Sequence, residues 1–390
     1  MIKNLSMTKT FMKIFTVATI TASLCACSGF FDKDNTPTPT PLTHFNAEAK
    51  PQMMWYTSVT PGVGNDYLKY LPVVTNEAVI TVGRKGMVTA SDKANGKTLW
   101  STSINKPLTA GPAVSDGLVF IGTRDGKIIA LNLKTGGLLW ESPVASEVLA
   151  PPAAANGIVI VKTIDGQISA LSTKDGHALW HFQQTEPALI LRSGSTPQIY
   201  GNSTVIGFAN GSLAKLTLHE GSLLWQQTIA APQGSFAIQR MVDIDADPLI
   251  YKNQIYVATY QGRISVLDLS SGKELWTHDI SSFTGLTADP GKVFVTDANS
   301  NLWAFEDGTG TVDWRQTQLT ARNITAPAIM GNYVIVGDGE GYLHWVSKQD
   351  GHFVARTRVN HSGILAAPVV NNNVAYILTK DGHLAAYTLA

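Results

Sequence analysis

Gly117-Leu118-Val119-Phe120-Ile121-Gly122, Arg124-Asp125-Gly126, Lys127-Ile128-Ile129-Ala130-Leu131, Lys134-Thr135-Gly136 and Gly137-Leu138-Leu139-Trp140 follow one another in a single unit of this chain. Short apolar, β-rich runs are divided by Asp-Gly and Thr-Gly pairs, which supply the positive φ that tight hairpins need. The unit recurs, closing on Trp100, Trp140, Trp180, Trp225, Trp276 and Trp314, at spacings of 40, 40, 45, 51 and 38 residues. A seventh unit runs through Gly339-Glu340-Gly341-Tyr342-Leu343-His344-Trp345 to Asp350-Gly351-His352, with Ala355 in the closing tryptophan position. An eighth begins at Asn373-Val374-Ala375-Tyr376-Ile377 and ends at Tyr387 with one strand missing. The segment Met53-Met54-Trp55-Tyr56 has the pattern of that missing strand. A period near 40 with four strands per unit is that of a propeller blade. The fold expected is all-β, an eight-bladed β-propeller whose ring is closed by N- and C-terminal strands sharing the last blade.

The tryptophans have a structural explanation. Each ring on an outermost strand can lie over the neighbouring blade, near the glycine of its own turn. Gly111-Pro112-Ala113, Pro151-Pro152-Ala153 and Ala326-Pro327-Ala328 put proline at strand starts, where a missing N–H is tolerated.

Working outward, residues 1–26 have the pattern of a signal peptide. Lys3, Lys9 and Lys13 precede an apolar run from Ile14 to Leu24, shorter than the ~20 residues of a membrane-spanning helix. The run ends in Leu24-Cys25-Ala26-Cys27-Ser28-Gly29, which resembles a bacterial lipobox and makes Cys27 the expected lipidation site. Residue Ser28, where an inner-membrane retention signal would have Asp, favours the outer membrane. Residues 27–50, with Thr36-Pro37-Thr38-Pro39-Thr40-Pro41, form the expected tether, extended at about 3.1 Å per residue. The propeller is expected to occupy residues 51–390.

Composition excludes several chemistries. Lys plus Arg and Asp plus Glu are 29 each, so there is no basic excess for nucleic acid. The two cysteines, Cys25 and Cys27, exclude a disulfide framework and thiolate metal sites. Asp243-Ile244-Asp245-Ala246-Asp247 starts like a calcium loop, but Pro248 and Gln254 stand where its Gly and Glu belong. His177 and His181 are separated by a turn and a strand end. No nucleophile elbow, Walker loop or dinucleotide fingerprint is present. No metal, cofactor or catalytic group is expected.

Function in a repeat fold tends to sit where the unit departs from its average. The two over-long intervals place extra residues at 186–195 and 233–248, both after an outer strand and before the next inner one, hence on one rim. Their mixture of aliphatic residues with Arg192, Arg240 and acids suits a protein-binding surface.

The blade motif is similar to the repeats of pyrroloquinoline-quinone dehydrogenases, whose vicinal disulfide this chain cannot form once Cys25 is removed. Lipobox, tether and eight blades together resemble the BamB family, lipoproteins of the outer-membrane β-barrel assembly (BAM) machinery. The segment Gly337-Asp338-Gly339-Glu340-Gly341-Tyr342-Leu343 and the two long loops look especially like that family. The resemblance implies a non-enzymatic scaffold, lipid-anchored to the outer membrane on its periplasmic face, that binds the POTRA domains of BamA and works with the other BAM subunits. It further implies that Leu189, Leu191 and Arg192 of the first loop, and Arg240, Asp243 and Asp245 of the second, contact BamA. Leu189 and Leu191 would be apolar anchors, while Arg192, Asp243 and Asp245 would orient docking through charge-assisted hydrogen bonds. Unfolded outer-membrane clients could pair with the outermost strands. The competing readings are a quinone-dependent dehydrogenase and a propeller that binds a ligand in its channel.

Overall fold

A computed structural model of the chain describes residues 36–63, 68–192 and 194–390. The expected signal segment and Cys27 lie outside the described residues. The body at 39–390 is built of eight four-stranded antiparallel sheets. Blades 1 to 7 occupy 73–103, 113–143, 153–183, 198–228, 249–279, 285–316 and 328–358, each meandering from an inner to an outer strand. Blade 8 takes its inner three strands from Val369–Asn371, Val374–Leu378 and His383–Leu389, and its outer strand from Pro51–Ser58. Pro51 pairs with Leu389 and Ser58 with His383, so the ring closes by sharing the last blade between the two ends.

Burial follows from the stacking of blades. The second and third strands are covered on both faces, and sequences such as Ala78–Val82 are buried throughout. They therefore read as continuous apolar runs, while outer strands such as Leu138–Pro143 alternate between exposed and half-buried residues. The core is divided among the seams between blades; one cluster joins Trp55 and Tyr376 of blade 8 to Ile80 of blade 1 and Ile121 of blade 2.

The tryptophans staple these seams. Trp100 donates its indole N–H to the Leu133 carbonyl of blade 2 at 2.9 Å, and Trp140 to Thr173 of blade 3 at 3.0 Å. Trp55 closes the ring in the same way on Lys93 of blade 1 at 3.2 Å. The glycine under each ring belongs to the next blade, which corrects the expectation that it would be the glycine of the same turn. At Gly136, with φ at 70°, a Cβ would stand 2.4 Å from Cε3 of Trp100, so turn and seam both demand glycine.

Ala355 breaks this pattern for a reason of topology. A tryptophan there would need the turn between the third and outer strands of blade 8. That turn does not exist, because the two strands come from opposite ends of the chain. The bulk appears across the ladder instead: Trp345 pairs with Ala355 and is fully buried, whereas Ala90 pairs with Trp100 and Ala130 with Trp140.

Each outer strand also carries a register shift beside its tryptophan position, leaving residues such as Leu99, Leu139, Leu179 and Leu224 outside the ladder and exposed. Such bulges blunt a sheet edge against further pairing.

Residues 39–50, which composition marked as part of a tether, lie along blades 6 and 7. Leu42 and Phe45 pack against the cluster holding Trp314 and Phe353. Two apolar side chains in a Thr/Pro-rich stretch are enough to fasten it when a matching surface is present.

Candidate functional site

The connections from each outer strand to the next inner strand share a rim with the turns between second and third strands. On this rim the 184–197 connection, between blades 3 and 4, and the 229–248 connection, between blades 4 and 5, meet as their sequence positions required. Leu191 N–H donates to Asp243 Oδ1 at 2.8 Å. Thr196 donates its N–H and its hydroxyl to Asp247, at 2.7 and 3.1 Å. The carboxylates of the second loop thus supply acceptors to the backbone of the first, which has no ladder partner of its own.

The two acids expected to face a partner lie inside this contact. Asp243 is 3% exposed and Asp245 2%. Burial pushes the Asp243 carboxyl up to about 7; the Leu191 N–H opposes the rise, and Asp245 and Glu186 add to it. Glu186 caps the turn of blade 4, accepting from Ala209 N–H at 2.9 Å and Asn210 N–H at 3.2 Å, and its carboxyl too is raised by burial. Beneath them Lys162 is buried, donates to the Gly207 carbonyl at 2.6 Å, and has its ammonium lowered by desolvation.

Lys69 completes the cluster from the connection that precedes blade 1, bonding the Asp245 carbonyl and, at 3.0 Å, the Asp247 carboxylate. Burial opposes its charge, but Asp247 and Asp245 outweigh that and hold its pKa above the ordinary value. Asp243 and Asp247 are thus engaged with separate partners, Leu191 on one side and Thr196 and Lys69 on the other, rather than converging as in a calcium loop. Lys69 was missed in the sequence, although the interval from Trp55 to Trp100 carries the same excess as that from Trp180 to Trp225.

What this buried framework holds outward is apolar and basic. Leu189 is 45% exposed and Leu191 half-buried. The Arg192 side chain is 60% exposed, and its guanidinium meets both oxygens of Glu147, at 2.9 and 2.8 Å. Arg240 is exposed at the end of a short 3-10 turn, Ala237–Arg240. The same turn presents Phe236, 68% exposed, and Ile238, 62% exposed. The turn is held by Gln239, whose side-chain oxygen accepts from the N–H groups of Ser235 and Phe236 at 3.1 and 3.2 Å. Apolar side chains raised on an ordered turn, with arginines beside them, form the kind of patch that marks a protein-binding surface. Phe236 and Ile238 lie inside the second over-long interval, but nothing in the sequence alone distinguishes them from its other apolar residues.

Next to the second loop the same rim opens into a channel-mouth cavity of about 600 Å³, bordered by Asp247, Lys69, Phe283 and Leu365.

A family model described as "Outer membrane protein assembly factor BamB" matches residues 84–316 and 304–390. The chain is 44% identical to the outer membrane protein assembly factor BamB of Legionella pneumophila (strain Paris), over 90% of this chain and 92% of that protein. Among solved structures it is similar to the crystal structure of BamB from Moraxella catarrhalis, with a TM-score of 0.77 and 27% identity, covering 85% of this chain and 99% of that one. A quinohemoprotein alcohol dehydrogenase from Comamonas testosteroni aligns with a TM-score of 0.71 at 13% identity, over 86% of this chain and 76% of that one; this likeness is one of fold alone.

Proposed function

Because this chain belongs to the BamB family of outer membrane protein assembly factors, we propose that it is a scaffold that docks on the POTRA domains of BamA through the paired loops of blades 3 to 5. Its family is named for assembly rather than for a reaction, and the chain serves outer-membrane protein assembly as a non-enzymatic member of the BAM complex, associated with the outer membrane. The observation that supports the docking site best is the division of labour between the loops. Asp243 and Asp247 bind the first loop's backbone from inside, while Leu189, Arg192, Arg240, Phe236 and Ile238 stand outside. In this reading Leu189 and Leu191 are the apolar anchors, and Arg192 and Arg240 the groups that meet acidic side chains of BamA. Asp243 and Asp245 act by shaping the surface. Cys27 carries the lipid that holds the chain to the periplasmic face of the outer membrane.

Arg192 is the exposed member of its pair with Glu147, and Arg124, 3.4 Å from the same carboxylate, remains as its counter-charge when the Arg192 guanidinium turns to a BamA carboxylate. Bulges in the outer strands shorten the ladder available to an extended client, so the client contacts of this scaffold are not assigned to those edges.

Titration of purified POTRA domains onto the protein tests the site. Leu191→Ala and Arg192→Glu each weaken binding at least about tenfold, as central contacts of an interface do, without altering the unfolding transition. Wild-type affinity in both variants would remove the loops from the interface.

A further inference from the structure

Residues 39–50 cross from the loop-bearing rim to the opposite rim, and blades 6 and 7 are built to receive them. At the loop rim Thr40 donates its N–H and its hydroxyl to the Thr320 carbonyl, at 3.0 and 2.9 Å, and its own carbonyl accepts from Arg322 at 3.0 Å. Midway, the Thr43 carbonyl accepts from Arg356 at 3.0 Å, and Phe45 lies 5.6 Å from the Phe353 ring and 4.9 Å from the Arg356 guanidinium. At the far rim Glu48 N–H donates to Val354, and Lys50 and Ala390 exchange backbone hydrogen bonds at 3.0 Å.

The two arginines are aimed by a network that joins blade 7 to the connection leading into it. Asp338, fully buried, accepts from Arg322 Nε at 2.8 Å and faces His344 Nε2 at 3.0 Å; His344 Nδ1 in turn accepts from Arg356 Nε at 3.1 Å. Asp338 also takes the N–H groups of Glu340 and Tyr342, which folds the Gly337–Leu343 turn around it. A histidine that donates from one nitrogen and accepts at the other couples both guanidinium groups to one carboxylate. Each arginine then has a further N–H free of this network for a carbonyl of the 39–50 segment. The turn singled out in the sequence thereby acquires a role that the partner-binding loops do not use.

We propose that this face of blades 6 and 7 is a binding site for the chain's own membrane-tethering segment, and that docking there makes the loop-bearing rim the one from which the anchor leaves. The orienting part rests on the reading that Cys27 carries lipid. With the segment docked, the chain between Cys27 and Pro39 spans at most about 40 Å at ~3.5 Å per residue. Released, the propeller would hang from Lys50 at the opposite rim, and the chain from Cys27 could reach about 80 Å. Docking therefore halves the longest reach and brings the chain off the propeller at Thr40, on the rim that carries Leu189 and Phe236.

The test uses the full-length, detergent-purified chain in nanodiscs. Cys25 and Cys27 are its only cysteines, so introduced ones can be labelled selectively after processing. Nitroxides are placed at Pro41→Cys and Gly308→Cys, the latter a position with open space around it. The expected result is one narrow distance distribution, which broadens in Leu42→Ala/Phe45→Ala and in Arg356→Gln. A broad distribution already present without those substitutions would overturn the docking. In a second arm a fluorophore at Phe236→Cys reports energy transfer to labelled lipid headgroups. Transfer falls when the segment is released; unchanged transfer, with release seen by the nitroxides, would overturn the orienting role. Mass spectrometry of the same preparation reads the lipid on Cys27; its absence would overturn the orienting role as well. Affinity for soluble POTRA domains stays at the wild-type level in the segment variants, so failure of the partner assignment is read separately.

Discussion

Replacing Asp243 by Asn separates its charge from its role as an acceptor. The Asn oxygen can still take the Leu191 N–H, now met by Asp243 Oδ1 at 2.8 Å, but cannot ionise. In the folded chain burial raises the Asp243 carboxyl from 3.8 to about 7, the Leu191 N–H opposing and Asp245 and Glu186 reinforcing the rise. A raised carboxyl means that the folded state holds the proton more tightly than the unfolded chain. Its contribution is complete below about pH 3.8 and is lost as the pH rises through about 7. At about 1.4 kcal/mol per pH unit, that window is worth about 4 kcal/mol in total, and about 3 kcal/mol of it lies above pH 4.5. The assay is urea unfolding of both proteins from pH 4.5 to 8, taking the difference in stability at each pH so that other titrating groups cancel. Wild type should lose about 3 kcal/mol relative to Asp243→Asn across that range, with the change finished near pH 7. A difference that stays flat within about 0.5 kcal/mol would refute the claim that this carboxylate is buried in the loop contact.

Two further substitutions probe the seams. Gly136→Ala imposes a Cβ on a positive-φ turn against the Trp100 ring, and should cost about 2–4 kcal/mol in urea unfolding; a loss below about 0.5 kcal/mol would contradict the staple. Ala355→Trp restores the repeat's residue where no turn exists to receive it. Thermal unfolding should therefore show a loss of about 1–3 kcal/mol, and a gain would contradict the topological account of the substitution.

The architecture was legible because it is repeated. Each closing Trp and the Gly beneath it serve a seam that recurs around the ring, and even the exception at Ala355 follows from where the chain ends meet. The two loops were legible as departures from the period, but the direction of their side chains was not. In the sequence Asp243 and Asp245 read as loop acids that face a partner. Their burial is decided by N–H donors and lysines from segments far away in sequence, Leu191, Lys162 and Lys69 among them. Composition misled in a similar way at 39–50, where Thr and Pro signal an extended tether. The packing of Leu42 and Phe45 depends on a surface that only blades 6 and 7, once assembled, provide. The Gly337–Leu343 turn was recognisable as a motif, yet its work depends on Arg322, 16 residues before Asp338, and on Arg356, 12 residues after His344, which no local pattern joins.

The central claim is that the paired loops present the surface on which this scaffold meets BamA. Its most direct test is purification of the tagged protein from detergent-solubilised membranes beside a Leu191→Ala/Arg192→Glu double variant, with identification of what accompanies each. The account predicts that a large barrel protein with periplasmic domains copurifies with the wild type and is lost from the variant, whose unfolding transition is unchanged. Equal recovery of that partner with both proteins would contradict it.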